Sequence, residues 1–372
     1  MQSHIDLSPY PLPITPQVFS QKLLTWYISQ HRQLPWRQAP PNPYKIWISE
    51  VILQQTRVRQ AIPYYEKFID QYPNLQTLAT APEAAVLRAW QGLGYYTRAR
   101  NLHACAQIIF HQYNNTFPNN YLTLRKLPGL GPYTAAAIAS IAFGEAVPVV
   151  DGNVYRVLAR IFGLTENIST SQGQRAFHKL AQSLLDIQNP GRYNQAIMEF
   201  GALQCKPVHP SCADCTFQSA CQAFHTGRQH ELPVKNAKVT VKERFLHYFV
   251  IQDAEKIYMK PRPQGDIWSG LYDFHLVEQH TLAAPTQLKD PLVALMQDTP
   301  LTITPYPQVY KHMLTHRKLY VRFFHVEATP PFRQAATPLL SHIGASSFSL
   351  QEVKSLPKPI LVHNFLEEHF YA

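Results

Sequence analysis

Four cysteines crowd into residues 205–221 with the spacing Cys205-x6-Cys212-x2-Cys215-x5-Cys221. Nothing else in the sequence restricts the fold so tightly, because thiols this dense must share one small loop. Soft thiolates at such density select zinc or an iron–sulfur cluster. A zinc ribbon presents two C-x2-C knuckles separated by a longer loop. Here one knuckle carries two wider arms, which favours a loop wrapped round a 4Fe–4S cubane over zinc, and either over four unligated core cysteines. Such a cluster would lock the loop and present its basic neighbours, Lys206 and His209, to an anion. The fifth cysteine, Cys105, stands alone. Crowding of this kind speaks for metal in a reducing compartment and against a secreted disulfide framework.

Upstream of that loop, from Pro16 to about His225, apolar residues recur at three- and four-residue spacing in segment after segment, the mark of packed helices. After "HTGRQHELPVKNAK" the texture changes to short runs rich in β-branched and aromatic residues, such as "KLYVRFFHVE", which read as strands. The expected architecture is mainly α. A large helical domain covers 1–225, a polar linker 226–238, and a smaller α+β domain 239–372, with helices at about 287–297 and 359–371. A chain of 372 residues has room for two cores. Its 45% hydrophobic and 16% charged residues argue against disorder. Lys and Arg number 34 against 24 Asp and Glu, a balance that favours an anionic partner such as nucleic acid. The first thirty residues lack a secretory pattern and no apolar run approaches membrane-spanning length. A cytoplasmic protein is expected, at the nucleoid if the source is bacterial.

Two further stretches carry chemistry. "LPGLGPYTAAAIAS" (127–140) sets a glycine turn directly before a helix. If Gly129 and Gly131 both take positive φ, successive backbone N–H groups converge on an anion such as a phosphate; the alternative is a plain helix–helix turn. "VPVVDGNVYRVLAR" (147–160) puts Asp151 ahead of a helix. There it serves as N-cap, and backbone donors would keep it ionised. Glu50 lies in "KIWISEVILQQT" between apolar neighbours. Unless it faces solvent, burial raises its pKa and keeps a proton available near neutrality. One protonated carboxyl and one carboxylate are what cleavage of a glycosidic bond requires.

Together, "LPGLGPYT", "VVDGNV" and the cysteine spacing resemble the helix–hairpin–helix DNA glycosylase superfamily. Within it, "LPWR", "SEVILQQTRV" and "GLGYYTRARNLH" are similar to the adenine DNA glycosylases of the MutY type, over roughly residues 16–225. The resemblance implies one 4Fe–4S cluster on Cys205, Cys212, Cys215 and Cys221. It implies a monomer acting on double-stranded DNA with adenine opposite 8-oxoguanine or guanine. Glu50 would protonate the adenine ring, Asp151 would stabilise the positive sugar, and Asn153 would support the site. Leu53, Gln54 and Gln55 would probe the opened stack, and Tyr95 would wedge beside the opposite base. Arg32, Trp36, Arg37 and Gln195 would line the adenine side; plain core is the lesser alternative for Trp36 and Tyr95. A flipped base and its partner both need stacking surfaces, which gives the 12% aromatic content a use.

In the sister endonuclease III group, the place of Tyr133 holds a lysine that attacks the sugar and forms a Schiff base. A phenol cannot form that imine, so Tyr133 argues for a monofunctional glycosylase in which water completes the reaction. The C-terminal domain resembles the family's Nudix-like module, without the acidic box that binds metal. The family's phenylalanine–serine–histidine loop, which reads 8-oxoguanine, is here Leu314-Thr315-His316, with the hydroxyl and imidazole kept and the phenylalanine lost. Two other readings stand beside this one: an endonuclease III-like lyase, disfavoured by Tyr133, and a cluster-bearing DNA-binding redox sensor, disfavoured by the pair Glu50 and Asp151.

Overall fold

The computed structural model describes residues 13–236, 241–314 and 316–371. Caps written into the sequence punctuate the helices. Pro43 opens one behind the Asn42 side chain, and Asp151 caps another. Gly144 and Gly163, both at φ +72°, end theirs in the left-handed conformation that glycine adopts without penalty. In chain order the helices are α1 (Pro16–Gln30), α2 (Pro43–Leu53), α3 (Val58–Gln71), α4 (Leu75–Ala79), α5 (Glu83–Ala89), α6 (Thr97–Gln112), α7 (Tyr121–Leu124), α8 (Pro132–Phe143), α9 (Gly152–Phe162), α10 (Ser171–Leu184), α11 (Pro190–Leu203) and α12 (Gln222–His225). Among the described residues no helix is long and apolar enough to cross a membrane.

The chain forms two compact units that do not follow a single cut. One comprises Met1–Thr80 and Asn101–Ala237, the other Ala81–Arg100 and Lys238–Ala372. The segment Ala81–Arg100, expected within the helical domain, therefore groups with the C-terminal one. In the first unit, α1, α9, α10 and α11 enclose a core built on Phe19, Leu23, Val157, Leu158, Phe177, Leu180, Ile197 and Phe200. Phe217, from the cysteine loop, stacks on Phe19 at 4.8 Å and so ties that loop to the same core.

The second unit is built on a seven-stranded mixed sheet: β1 (Lys242–Asp253), β2 (Lys256–Pro261), β3 (Tyr272–Asp273), β4 (His275–Gln279), β5 (Ile303–Met313), β6 (Arg317–Glu327) and β7 (Ser346–Ser349). The main path runs β3-β2-β1-β6-β5, with β4 paired to β1 and β7 to β2. Among the described residues only β1 and β6 pair in parallel, in an eleven-pair register from Lys242↔Arg317 to Gln252↔Glu327. Alternate residues of β1 and β6, Phe249, Ile251, Phe324 and Val326, pack against α13 (Pro291–Asp298) and α14 (Pro330–His342). The helix expected at about 287–297 starts at Pro291, after a 3-10 turn at Pro285–Gln287. That expected at 359–371 is Ile360–His369, here α16, preceded by α15 (Leu350–Ser355). Helix α14 was not anticipated.

Candidate active site

Helix α2 buries every residue from Ile46 to Ile52, so Glu50 has no solvent face to turn to, and it is 7% exposed. Its Oε2 accepts a 2.6 Å hydrogen bond from the Tyr133 hydroxyl, which also lies 3.4 Å from Met198 Sδ. Burial pushes the Glu50 carboxyl up to about 7, only partly offset by the Tyr133 bond and reinforced by nearby Asp151. Burial likewise raises the Tyr133 phenol far above its ordinary range, with Glu50 adding to the effect. The phenol is thus a committed donor, and Glu50 is poised to hold a proton near neutrality.

Asp151 reaches the same cavity from the N-terminus of α9. Its Oδ1 accepts from Val154 N (2.8 Å) and its Oδ2 from Asn153 Nδ2 (2.8 Å). These donors were expected to hold the carboxylate ionised. Burial outweighs them, and the Asp151 pKa is raised rather than lowered. Asn153 is itself fixed: its Oδ1 accepts from Arg156 Nη2 (2.8 Å), which also donates to the Gly201 carbonyl (2.7 Å). Helix α11 presses close here, such that a methyl on Gly201 would lie 2.7 Å from Asn153 Cβ.

The cavity, about 210 Å³, gathers Arg32, Trp36, Arg37, Glu50, Leu53, Tyr133, Asp151, Asn153 and Gln195 from the sequence-predicted set. It also holds Met198 and Glu199, which sequence reasoning did not find. Glu199, with its side chain 2% exposed, accepts from Arg32 Nε and Nη2 (both 2.8 Å), from the Arg32 backbone N–H (2.9 Å) and from Arg37 Nη2 (2.9 Å). Burial opposes its ionisation, but these arginine bonds win and hold the carboxyl at about 2. Both arginines are therefore spoken for by a carboxylate. On the next turn of α11, Gln195 Oε1 accepts from the Tyr27 hydroxyl (3.2 Å). Asn194, fully buried, donates to Ser140 Oγ (2.9 Å) and the Val147 carbonyl (2.8 Å) and accepts from Val149 N (3.0 Å), fixing the extended run that delivers Asp151.

The remaining predicted residues do not line the cavity. Gln54 donates to Thr134 Oγ1 (3.2 Å), and Gln55 adopts φ +62°. Gly129 takes φ +75°, and a Cβ there would strike Asn101 Cβ at 2.8 Å, so glycine is required twice over. Gly131 departs from expectation. It is extended (φ −69°, ψ 176°) as the N-cap of α8, so the turn contains one left-handed glycine, not two. No neighbour lies within 4 Å of a Cβ built on Gly131, which leaves room for another chain to approach. Tyr95 belongs to the second unit, at φ +50° and 45% exposed. Thr315 lies outside the described residues. His316 sits in the turn between β5 and β6, where its carbonyl accepts from Lys242 N (3.1 Å).

Cys205, Cys212, Cys215 and Cys221 line one small cavity beneath α9 and the end of α11. Arg160 Nη1 lies 3.5 Å from Cys205 Sγ, and Cys221 Sγ lies 3.4 Å from the Arg160 carbonyl. Arg156 Nε donates to the Cys205 carbonyl (2.7 Å) and Arg160 Nη1 to that of Lys206 (2.7 Å). Helix α9 thus presents Asp151 at one end and clasps the cysteine loop along its length. Among the described residues no three Cys, His, Asp or Glu side chains stand close enough to share a single metal ion.

Glu50 and Asp151 thus converge on one cavity in a helical frame, and residues 48–183 match the HhH-GPD superfamily of base excision DNA repair proteins. Residues 247–368 match the NUDIX domain. The structure of a thermostable thymine-DNA glycosylase aligns with 28% identity and a TM-score of 0.51, covering 57% of this chain and 97% of that one. An adenine DNA glycosylase of Buchnera aphidicola (subspecies Baizongia pistaciae) is 36% identical over 311 residues, 83% of this chain and 86% of the relative. The human adenine DNA glycosylase is 42% identical over 222 residues, 58% of this chain and 41% of that one. The chain belongs to the adenine DNA glycosylase family.

Proposed function

We propose that the protein removes adenine paired with 8-oxoguanine or guanine in duplex DNA, acting as a monomer and a monofunctional glycosylase. The observation that carries this reading is Glu50, buried and held near a pKa of about 7 in one cavity with Asp151. The adenine is flipped from the stack into that cavity. Glu50 gives its proton to a ring nitrogen, and the C1′–N9 bond breaks as its electron pair moves to the base. Asp151 stabilises the oxocarbenium-like sugar. Water adds at C1′ and returns a proton to Glu50. Tyr133 donates to Glu50 and has no amine with which to form an imine, so no strand-cleaving Schiff base follows. Tyr95, Thr315 and His316 read the opposite base, Leu53, Gln54 and Gln55 probe the stack, and the turn at Gly129 and Gly131 receives a phosphate.

Cys205, Cys212, Cys215 and Cys221 would hold one 4Fe–4S cluster. Four soft donors that line one cavity are a ligand set suited to a cluster of this kind. When bound it supplies structural cross-linking of the loop and takes no part in breaking the glycosidic bond.

The test uses duplexes with A opposite 8-oxoguanine, G or T. Strand breaks that form at the two mispairs only after alkali, with no borohydride-trapped adduct, are the expected result. Efficient trapping would move the protein to the lyase group. Freshly purified protein should carry about four irons with matching sulfide; stoichiometric zinc after anaerobic purification would overturn the cluster.

A further inference from the structure

Tyr95 adopts a conformation that bulky residues rarely take. Its φ of +50° follows directly on Gly94 at +68°. A left-handed tyrosine persists only where its surroundings over-determine it, and such outliers gather at functional sites. The ring is nonetheless 45% exposed. The turn beneath it is braced locally by Trp90, whose indole N–H donates to the Gly94 carbonyl (3.2 Å). Arg98 Nη2 donates to the carbonyls of Leu93 and Gly94 (3.0 and 3.2 Å). The Arg98 guanidinium lies 5.3 Å from the Trp90 ring and 5.7 Å from that of Tyr95.

Two further braces come from the far end of the chain. Tyr96, 3% exposed, donates its hydroxyl to the main-chain carbonyl of Lys358 (3.2 Å). Lys358 is 1% exposed, and its ammonium donates to the carbonyls of Val353 and Leu356. The acceptor that receives Tyr96 is therefore held in a stapled segment. Arg100 Nη1 donates to the Ser269 carbonyl at 2.5 Å. Ala81–Arg100 and Lys238–Ala372 accordingly fold as one unit.

We propose that Tyr96 is a positioning residue for Tyr95: its bond to Lys358, with that of Arg100 to Ser269, sets the pose in which Tyr95 meets the base opposite adenine and so tunes the preference for an 8-oxoguanine partner over guanine. This rests on the reading of Tyr95 as the residue beside that base. Stacking of an aromatic ring on a base depends on the ring's pose. The C-terminal segment then contributes to discrimination indirectly, through bonds that span 262 and 169 positions of the chain, in addition to any contact of its own with the lesion.

The experiment measures single-turnover excision by the full chain on A opposite 8-oxoguanine and A opposite G, and takes the ratio of the two rates. Tyr96→Phe is expected to lower that ratio about two- to tenfold, the loss of one ordinary hydrogen bond. Arg100→Met should move it the same way. In a Tyr95→Ala background, Tyr96→Phe should add nothing, because it acts through Tyr95. If Tyr95→Ala lowers the ratio but folded Tyr96→Phe and Arg100→Met leave it unchanged, the positioning role is overturned and the reading of Tyr95 survives. An additive loss in the double variant also overturns it. A ratio indifferent to Tyr95→Ala sinks the reading of Tyr95 first, and the positioning role with it.

Discussion

Glu50 and Glu199 face the same cavity from α2 and α11, and both are buried, yet their protons behave in opposite ways. Glu50 has one neutral donor, Tyr133, and is held near a pKa of about 7. Glu199 has two guanidinium groups and is held at about 2. Burial penalises the charged form in each case. What separates them is whether the donors carry charge. Arg37 also acts to lower the Glu50 pKa, but it hydrogen-bonds Glu199 at 2.9 Å. By engaging that cation, Glu199 leaves Glu50 free to keep its proton. The pocket thus makes an acid partly by supplying a competitor for the nearest positive charge.

The comparison can be broken at several points. Glu50→Gln should slow adenine excision by ~10²–10⁴-fold, the range for loss of a general acid, while duplex binding persists; a single-turnover rate close to the parent would leave Glu50 with no acid role. Glu199→Gln should cost roughly 2–3 kcal/mol of stability, because it takes the charge from hydrogen bonds to two arginines that are themselves only partly buried. Denaturant midpoints measure this, and an unchanged midpoint would mean the arginines find water or other partners.

A third expectation uses pH. The raised Glu50 carboxyl makes the folded state hold its proton longer than the unfolded one, so stability falls as pH rises from about 4.5 to about 7 and stays low above. For Glu199 the sign reverses. Its contribution is complete above about 4.5 and is lost as pH falls towards about 2. Each window is worth about 3 kcal/mol at 1.36 kcal/mol per pKa unit. Glu50→Gln should shrink the upper fall, the rest of which belongs to other raised carboxyls such as Asp273, held at about 6. Glu199→Gln should remove its own lower contribution and, by freeing Arg37 to act on Glu50, narrow the upper one as well; profiles unchanged in both variants would assign the protons elsewhere. The smallest effect is expected from Tyr133→Phe. It removes a bond that lowers the Glu50 pKa, so the fall in excision rate with rising pH should move to higher pH. A profile that stays in place would deny Tyr133 its tuning role.

Much of the fold could be read in advance where the signal is local. The cysteine spacing marked one loop, helical periodicity ran through the chain up to it, and Glu50 and Asp151 stood out because each sits in a short diagnostic stretch. Glu199 did not. It lies in "AIMEFGAL", where nothing indicates that its charge is buried, and its arginine partners lie 167 and 162 positions earlier in the chain. Long-range charge pairing leaves no periodicity. Helix α14 was hidden by its three prolines. Pro330 and Pro331 occupy the first turn, where proline is tolerated, while Phe332, Ala336 and Leu340 recur every fourth residue on the buried face. Gly131 looked like a second left-handed residue because composition reports what glycine can do, and only the turn itself decides which glycine does it. The grouping of Ala81–Arg100 with the C-terminal segment was equally out of reach, resting on single bonds such as Tyr96 to Lys358.

Gly201 carries a different kind of consequence. It offers no proton, charge or donor side chain to the reaction, and a comparison of side-chain chemistry would rank its replacement by alanine among the mildest changes possible. Yet the added methyl would press on Asn153, whose amide steadies Asp151. Among inherited or laboratory variants of such a chain, harm at this position scales with the room a residue takes up. Clearance between helices, measured in tenths of an ångström, is here as much a part of the proposed site as its carboxylates.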